Sequence, residues 1–161
     1  MSDVERLVIE GGERLSGSLR IHGSKNAALP ILAAATMVDG ETILEDVPNL
    51  DDVHVMLDIL RSLGAVVSFS GNTVTVNPQG IHTTDVPEHL MRQMRSSIFL
   101  LGPLLARFGS VRVSKPGGCT IGTRPIDLHE KGIATLGASL IDRHGFIECQ
   151  ATRLSGASIF L

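Results

Sequence analysis

The sequence predicts an α/β fold assembled from repeated units, and three observations carry that reading. Two segments share one order of elements: an apolar helix, a glycine (Gly40 or Gly109), a strand, a loop, a helix ended by Leu-Gly-Ala, then strand, turn and strand. The helix body Ala27-Ala28-Leu29-Pro30-Ile31-Leu32-Ala33-Ala34-Ala35 is apolar nearly all round, which marks a helix enclosed by other elements. Each Leu-Gly-Ala, at Leu63-Gly64-Ala65 and Leu136-Gly137-Ala138, precedes two short runs that read as a hairpin. The glycine spacing is 24 residues in the first copy and 28 in the second. The excess falls most naturally in residues 116–123. An insertion in one copy of a repeat marks where function can sit.

In chain order, residues 5–10 read as a strand, Gly11-Gly12 as a turn and residues 15–21 as a second strand, with Leu15, Leu19 and Ile21 on one face. Ser24 is the expected N-cap of a buried helix over residues 25–38, with Pro30 near its start. Asp39-Gly40 is a turn and residues 42–44 a short strand. Asp51 or Asp52 caps a helix running to Leu63, whose stripe is Val53, Met56, Leu57, Leu60 and Leu63. Gly64 stops it. Residues 65–69 and 73–76 form a hairpin around Ser70-Gly71-Asn72. A long helix over residues 87–107, broken near Gly102-Pro103, places Arg92 and Arg95 on one face. Residues 111–113 are a strand, residues 125–136 a helix with proline in its first turn, and residues 138–141 and 146–150 a hairpin over Arg143-His144-Gly145. Residues 157–161 read as one more strand.

The composition narrows the function. At 161 residues, 43% hydrophobic and 19% charged, the chain is expected to be one soluble globular domain. A formal net charge of -3, with five Phe and no Tyr or Trp, argues against a nucleic-acid partner. The apolar runs are too short and interrupted to span a membrane. The start Met-Ser-Asp-Val-Glu-Arg lacks signal-peptide features, and two cysteines then point to reduced thiols in a cytoplasmic protein. The six histidines are scattered, no Cys-x-x-Cys occurs, and Cys119 with His129 has no matching second pair. Neither a metal site, a redox thiol pair nor a cofactor is expected. Cys149 reads as a packed or half-exposed strand residue.

Two places carry candidate chemistry. Lys25-Asn26 stands at the mouth of the first helix, where free N–H groups and the dipole favour an anion. A solvated lysine beside an N-cap explains the same spacing. The second place is Lys115-Pro116-Gly117-Gly118-Cys119-Thr120-Ile121-Gly122-Thr123-Arg124-Pro125-Ile126-Asp127-Leu128-His129. Its glycines and prolines exclude a regular helix or strand over residues 115–124, and cations flank Cys119, which favours its thiolate. A surface turn with an incidental cysteine is the alternative; Lys115, Arg124, Asp127 and His129 nearby favour a functional thiol. Arg95, at the edge of the apolar run Ile98-Phe99-Leu100-Leu101, needs an anionic partner or an exit to water.

Together, Gly23-Ser24-Lys25-Asn26-Ala27-Ala28-Leu29-Pro30, Met94-Arg95-Ser96-Ser97 and the long segment from Pro116 to His129 resemble the enolpyruvyl transferases, in order and spacing over essentially the whole chain. The resemblance implies an inside-out α/β barrel of βαβαββ units with the helices inside. Residues 23–161 would be an incomplete first domain, with two units and the start of a third. Residues 1–22 would pair with a C-terminal domain. Lys25, Asn26 and Arg124 would hold phosphoenolpyruvate. Arg95, Arg124, Pro125, Ile126, Asp127 and Leu128 would hold UDP-N-acetylglucosamine, Arg95 at the phosphates and Asp127 and Leu128 near the uracil. Cys119 would be the general acid and the usual target of fosfomycin. The implied reaction moves the enolpyruvyl group to the sugar 3′-hydroxyl with release of phosphate, the first committed step of peptidoglycan synthesis. With the second domain's residues missing, the expectation is little or no turnover by this chain alone. A truncated or split non-catalytic UDP-sugar-binding module is the alternative. A C-terminal domain on another chain is the implied partner.

Overall fold

The computed structural model describes residues 6–12, 14–115 and 125–160. Among them the strands form two three-stranded antiparallel sheets of one plan. The first holds β1 (Thr42–Leu44), β2 (Val66–Ser70) and β3 (Thr73–Asn77) in the order β1-β3-β2. The second holds β4 (Ser110–Ser114), β5 (Ser139–Arg143) and β6 (Phe146–Gln150) in the order β4-β6-β5. In each, the returning hairpin strand is central, so Asn77 faces Val66 and Gln150 faces Ser139 at the open hairpin ends. Period-two alternation buries Val74 and Val76 in β3, and Ile147 and Cys149 in β6. The repeat read from the glycine spacing is therefore a structural repeat, and Cys149 is a packed strand residue.

Helices pack against both sheets. α1 (Lys25–Ala34) runs into a 3-10 turn (Ala35–Met37), and α2 (Asp51–Leu63) packs beside it. α2 buries Val53, Met56, Leu57, Ile59, Leu60 and Leu63, the expected stripe with Ile59 added. It ends at Gly64, whose φ of 108° and close approach to the Gly80 carbonyl suit a residue without Cβ. In the second unit come α3 (Glu88–Met91), a 3-10 helix (Arg95–Leu100), α4 (Leu101–Phe108) and, after β4, α5 (Asp127–Thr135). Against the sheets, α2 packs on β2, α4 on β4 and α5 on β5. The Arg95–Leu100 helix packs on α1, and α4 packs on the 3-10 turn after α1. One hydrophobic core thus runs from Leu29 and Leu32 through Met56 and Leu60 to Leu104, Val113 and Ile147.

Several expectations are corrected. Neither the 5–10 nor the 15–21 segment is a strand in its described residues. Leu7, Ile9, Leu15, Leu19 and Ile21 all stand exposed, because no described strand lies alongside to take their backbone hydrogen bonds. The same holds for residues 157–160. The 87–107 helix breaks at Met94, not at Gly102-Pro103. Met94 is extended (φ -143°, ψ 124°), and the buried Ser97 hydroxyl lies 2.6 Å from the Met94 carbonyl, a side-chain bond that competes with the helical one. Gly102 and Pro103 fall in the first turn of α4, where a missing N–H costs no helical bond. Arg92 and Arg95 consequently share no helix face; Arg92 bonds Glu88 instead, Nε to Oε1 at 2.8 Å. The N-cap of α2 is Leu50, with Asp51 and Asp52 inside the first turn. α1 is enclosed on one side only: Ala28, Leu29, Leu32 and Ala33 are buried, whereas Ile31 is 44% exposed.

Candidate active site

Lys25 is the first residue of α1. Ser24 precedes it in extended conformation; its carbonyl accepts from Ala27 N and Ala28 N at 3.1 and 2.9 Å, while its hydroxyl makes no cap bond. The approach to the helix is tight at Gly23, where a Cβ would sit 1.8 Å from the Asp46 carbonyl oxygen. Asp46 has a φ of 56°, and its carboxylate accepts from Arg20 at 2.9 and 2.8 Å and from Asn72 Nδ2 at 2.8 Å. That cluster sets where residues 22–25 enter α1. The Lys25 ammonium then meets Asp52 of α2, Nζ to Oδ2 at 2.7 Å, with the lysine side chain 42% exposed and the aspartate 33%. Asn26 beside it is exposed. A cation at the positive end of a helix runs against the dipole. Asp52 offsets that mismatch, and an incoming anion would offset it further.

Arg95 opens the 3-10 helix and is half-buried, with Ser97, Ile98 and Leu100 behind it in the core. Among the described residues it forms no ion pair. Because this helix packs on α1, the elements bearing Lys25 and Arg95 are neighbours. A cavity of about 430 Å³ lies between this helix and α5, lined by Ile98, Phe99, Gly102, Leu128, Ile133 and Leu136 among others. Asp127 starts α5 as an exposed residue, with Glu130 also in the first turn, the end where carboxylates are favoured. Pro125 and His129 are exposed, Leu128 half so, and Ile126 is buried. The Arg95–Leu100 helix thus packs on α1, and its Ile98 and Phe99 line the same cavity as Leu128 of α5.

Cys119 and Arg124, with the whole of residues 116–124, lie outside the described residues. Lys115, the last described residue before that segment, is anchored. Lys115 N donates to the Gly145 carbonyl at 2.7 Å, and its ammonium pairs with Asp142. The Asp142 hydrogen bond raises the Lys115 pKa above its ordinary value. A depression of about 750 Å³, lined by Arg107, Gly109, Gly137, Gln150 and Arg153 among others, contains none of the candidate residues. The contact that sequence reasoning missed is that of Lys25 with Asp52. Asp52 was legible as an acid at a helix start, but no local spacing ties position 25 to position 52.

The family model described as EPSP synthase (3-phosphoshikimate 1-carboxyvinyltransferase) matches residues 9–161. A relative from Carboxydothermus hydrogenoformans, named UDP-N-acetylglucosamine 1-carboxyvinyltransferase 2, is 49% identical over 158 residues, 98% of this chain and 38% of its own. One from Desulforapulum autotrophicum, named UDP-N-acetylglucosamine 1-carboxyvinyltransferase, is 48% identical over 157 residues with the same coverage. The chain thus spans well under half the length of these relatives. Among solved structures, the enolpyruvyl transferase NikO from Streptomyces tendae superposes with a TM-score of 0.73 at 26% identity, over 90% of this chain and 32% of that one. EPSP synthase from Acinetobacter baumannii shares the fold, with a TM-score of 0.63 at 17% identity, over 88% and 33%.

Proposed function

This chain belongs to the EPSP synthase family of carboxyvinyl transferases, and from that membership we propose that it carries one side of the active site of an enzyme that transfers the enolpyruvyl group of phosphoenolpyruvate to UDP-N-acetylglucosamine. The observation that supports the reading is the Lys25 ammonium held at the mouth of α1, on a helix that packs against the one opened by Arg95. The relatives' names supply the choice of sugar nucleotide. In this reading the sheets and helices are two units of an inside-out α/β barrel, and residues 1–22 pair with a second domain.

Lys25, Asn26 and Arg124 hold phosphoenolpyruvate, and Arg95 with residues 124–128 holds the UDP-sugar. Cations already in place stabilise a multiply charged substrate without reorganisation. Cys119 gives a proton to the methylene carbon of phosphoenolpyruvate. The sugar 3′-hydroxyl oxygen bonds to the carbon so made electrophilic and loses its own proton. Phosphate then leaves as the new methyl group gives up a proton, restoring the carbon–carbon double bond. The setting is the cytoplasm, and the product feeds peptidoglycan synthesis. Among the described residues no helix is long and apolar enough to cross a membrane.

The test is calorimetric binding of each substrate to the 161 residues, with phosphate release measured beside a Cys119→Ala control. The expected result is UDP-N-acetylglucosamine binding that weakens about tenfold or more in Arg95→Ala, with little or no phosphate release by the chain alone. Failure to bind either substrate overturns the proposal. Cys119-dependent release at an enzyme's usual rate overturns the expectation that the second domain is required.

A further inference from the structure

We propose that Asp52 is a positioning residue for Lys25, holding its ammonium at the mouth of α1 for the anionic groups of phosphoenolpyruvate. The inference rests on the reading of Lys25 given above and adds a residue that the family motifs in the sequence did not single out.

Lys25 breaks a local rule, and Asp52 is redundant to its own helix. Lys25 stands at the first position of α1, the positive end, where a cation is disfavoured. Asp52 stands in the first turn of α2, where a carboxylate is welcome, but Asp51 beside it already supplies an acid to that turn. Neither residue is needed in that place for its own helix. Their side chains nonetheless meet at 2.7 Å. Both are partly open to solvent, so the pair contributes little to stability. An explanation in terms of the fold is therefore weak, and one in terms of placement is stronger.

Placement is what a lysine lacks. Its four-carbon stem has many rotamers, and ordering them on binding weakens affinity. Asp52 sits on a helix whose buried stripe fixes it against the core, and α2 packs directly on α1. The carboxylate is thus a rigid point that holds the lysine stem in one arc. An ammonium has three N–H donors, and one directed at Asp52 leaves two for a ligand. The same contact carries a penalty, because a carboxylate beside the site repels an anion. Positioning and repulsion therefore predict opposite effects of removing the charge.

The experiment exploits that opposition. Phosphoenolpyruvate is titrated into wild type, Asp52→Asn, Asp52→Glu and Lys25→Met, with affinity read by calorimetry and the Lys25 Cε signal followed by carbon-13 NMR. In wild type the Lys25 signal moves on titration. Asp52→Asn raises the Kd about tenfold and averages the Lys25 signal toward that of a free lysine. Asp52→Glu restores most of both effects, and Asp52→Asn adds nothing in a Lys25→Met background. A purely structural carboxylate would lower the melting temperature without changing the Lys25 signal. Asp52→Asn affinity equal to or tighter than wild type overturns the proposal, since repulsion then outweighs positioning. A wild-type Lys25 signal that ignores phosphoenolpyruvate overturns the reading of Lys25 itself, and with it this inference. The first failure is seen only in the variant, the second already in wild type. Should Asp52→Asn not fold, Asp52→Ser against wild type provides the same comparison of Kd and Lys25 signal.

Discussion

Cys149 shows what packing in a central strand does to a thiol. Cys149 is 1% exposed in the central strand β6, and burial, with the nearby Glu130 charge adding to it, pushes its thiol up to about 11. A group kept neutral by the fold binds its proton more tightly folded than unfolded. Between pH 9 and 11 the unfolded chain loses that proton first, so stability falls as pH rises across that window. Urea unfolding should show a loss of up to about 2 kcal/mol from pH 8.5 to 11 in wild type beyond that of Cys149→Ala. Identical pH slopes for the two proteins would mean the thiol is not held neutral. The strand alternation made this cysteine legible in the sequence as a packed residue. Lys25 and Arg95 were singled out by motif, but the ion-pair partner of Lys25 was not, because a contact between positions 25 and 52 depends on how two helices dock. Gly23 was legible only as part of a motif. Its physical reason, the Asp46 carbonyl against its α-carbon, exists only once the chain is folded.

At the scale of the element, glycine and local patterning were good guides and long-range satisfaction was not. The Gly71-Asn72 and His144-Gly145 turns, the stripe of α2 and the left-handed Gly64 and Gly137 all follow from neighbours in sequence. The break at Met94 does not, because the Ser97 hydroxyl that supports it reads in sequence as any serine in a helix. The end of α1 is a second case. Arg107 of α4 donates to the Thr36 and Val38 carbonyls at 2.5 and 2.9 Å, capping the 3-10 turn from the other repeat unit. These two charge-assisted bonds tie the units together. Arg107→Met keeps the apolar stem and removes them, and should cost about 1.5–3 kcal/mol in denaturant unfolding. A change below the error of the measurement would make the contact incidental.

For the molecule as a whole, the sequence conveyed the repeat but not the extent of the cover. Both sheets follow one plan, and a single core joins them. Residues 5–10 and 15–21 read as strands from their apolar residues, yet a strand is a pairing and no described segment pairs with them. The two corresponding helices differ in the same way. α2 buries six side chains, whereas α5 buries none and faces the cavity beside Phe99 and Leu128. That inequality sets two clocks. In heavy water the amides of α2 should exchange only when the entire chain opens, whereas those of α5 should take up deuterium about a hundredfold faster or more, through fraying that leaves the core intact. Equal protection of the two helices would show that something covers α5 in solution. Otherwise the helix that begins at Asp127 lives on a shorter timescale than the rest, and a ligand gripping its first turn would be read out as a slowing of that exchange.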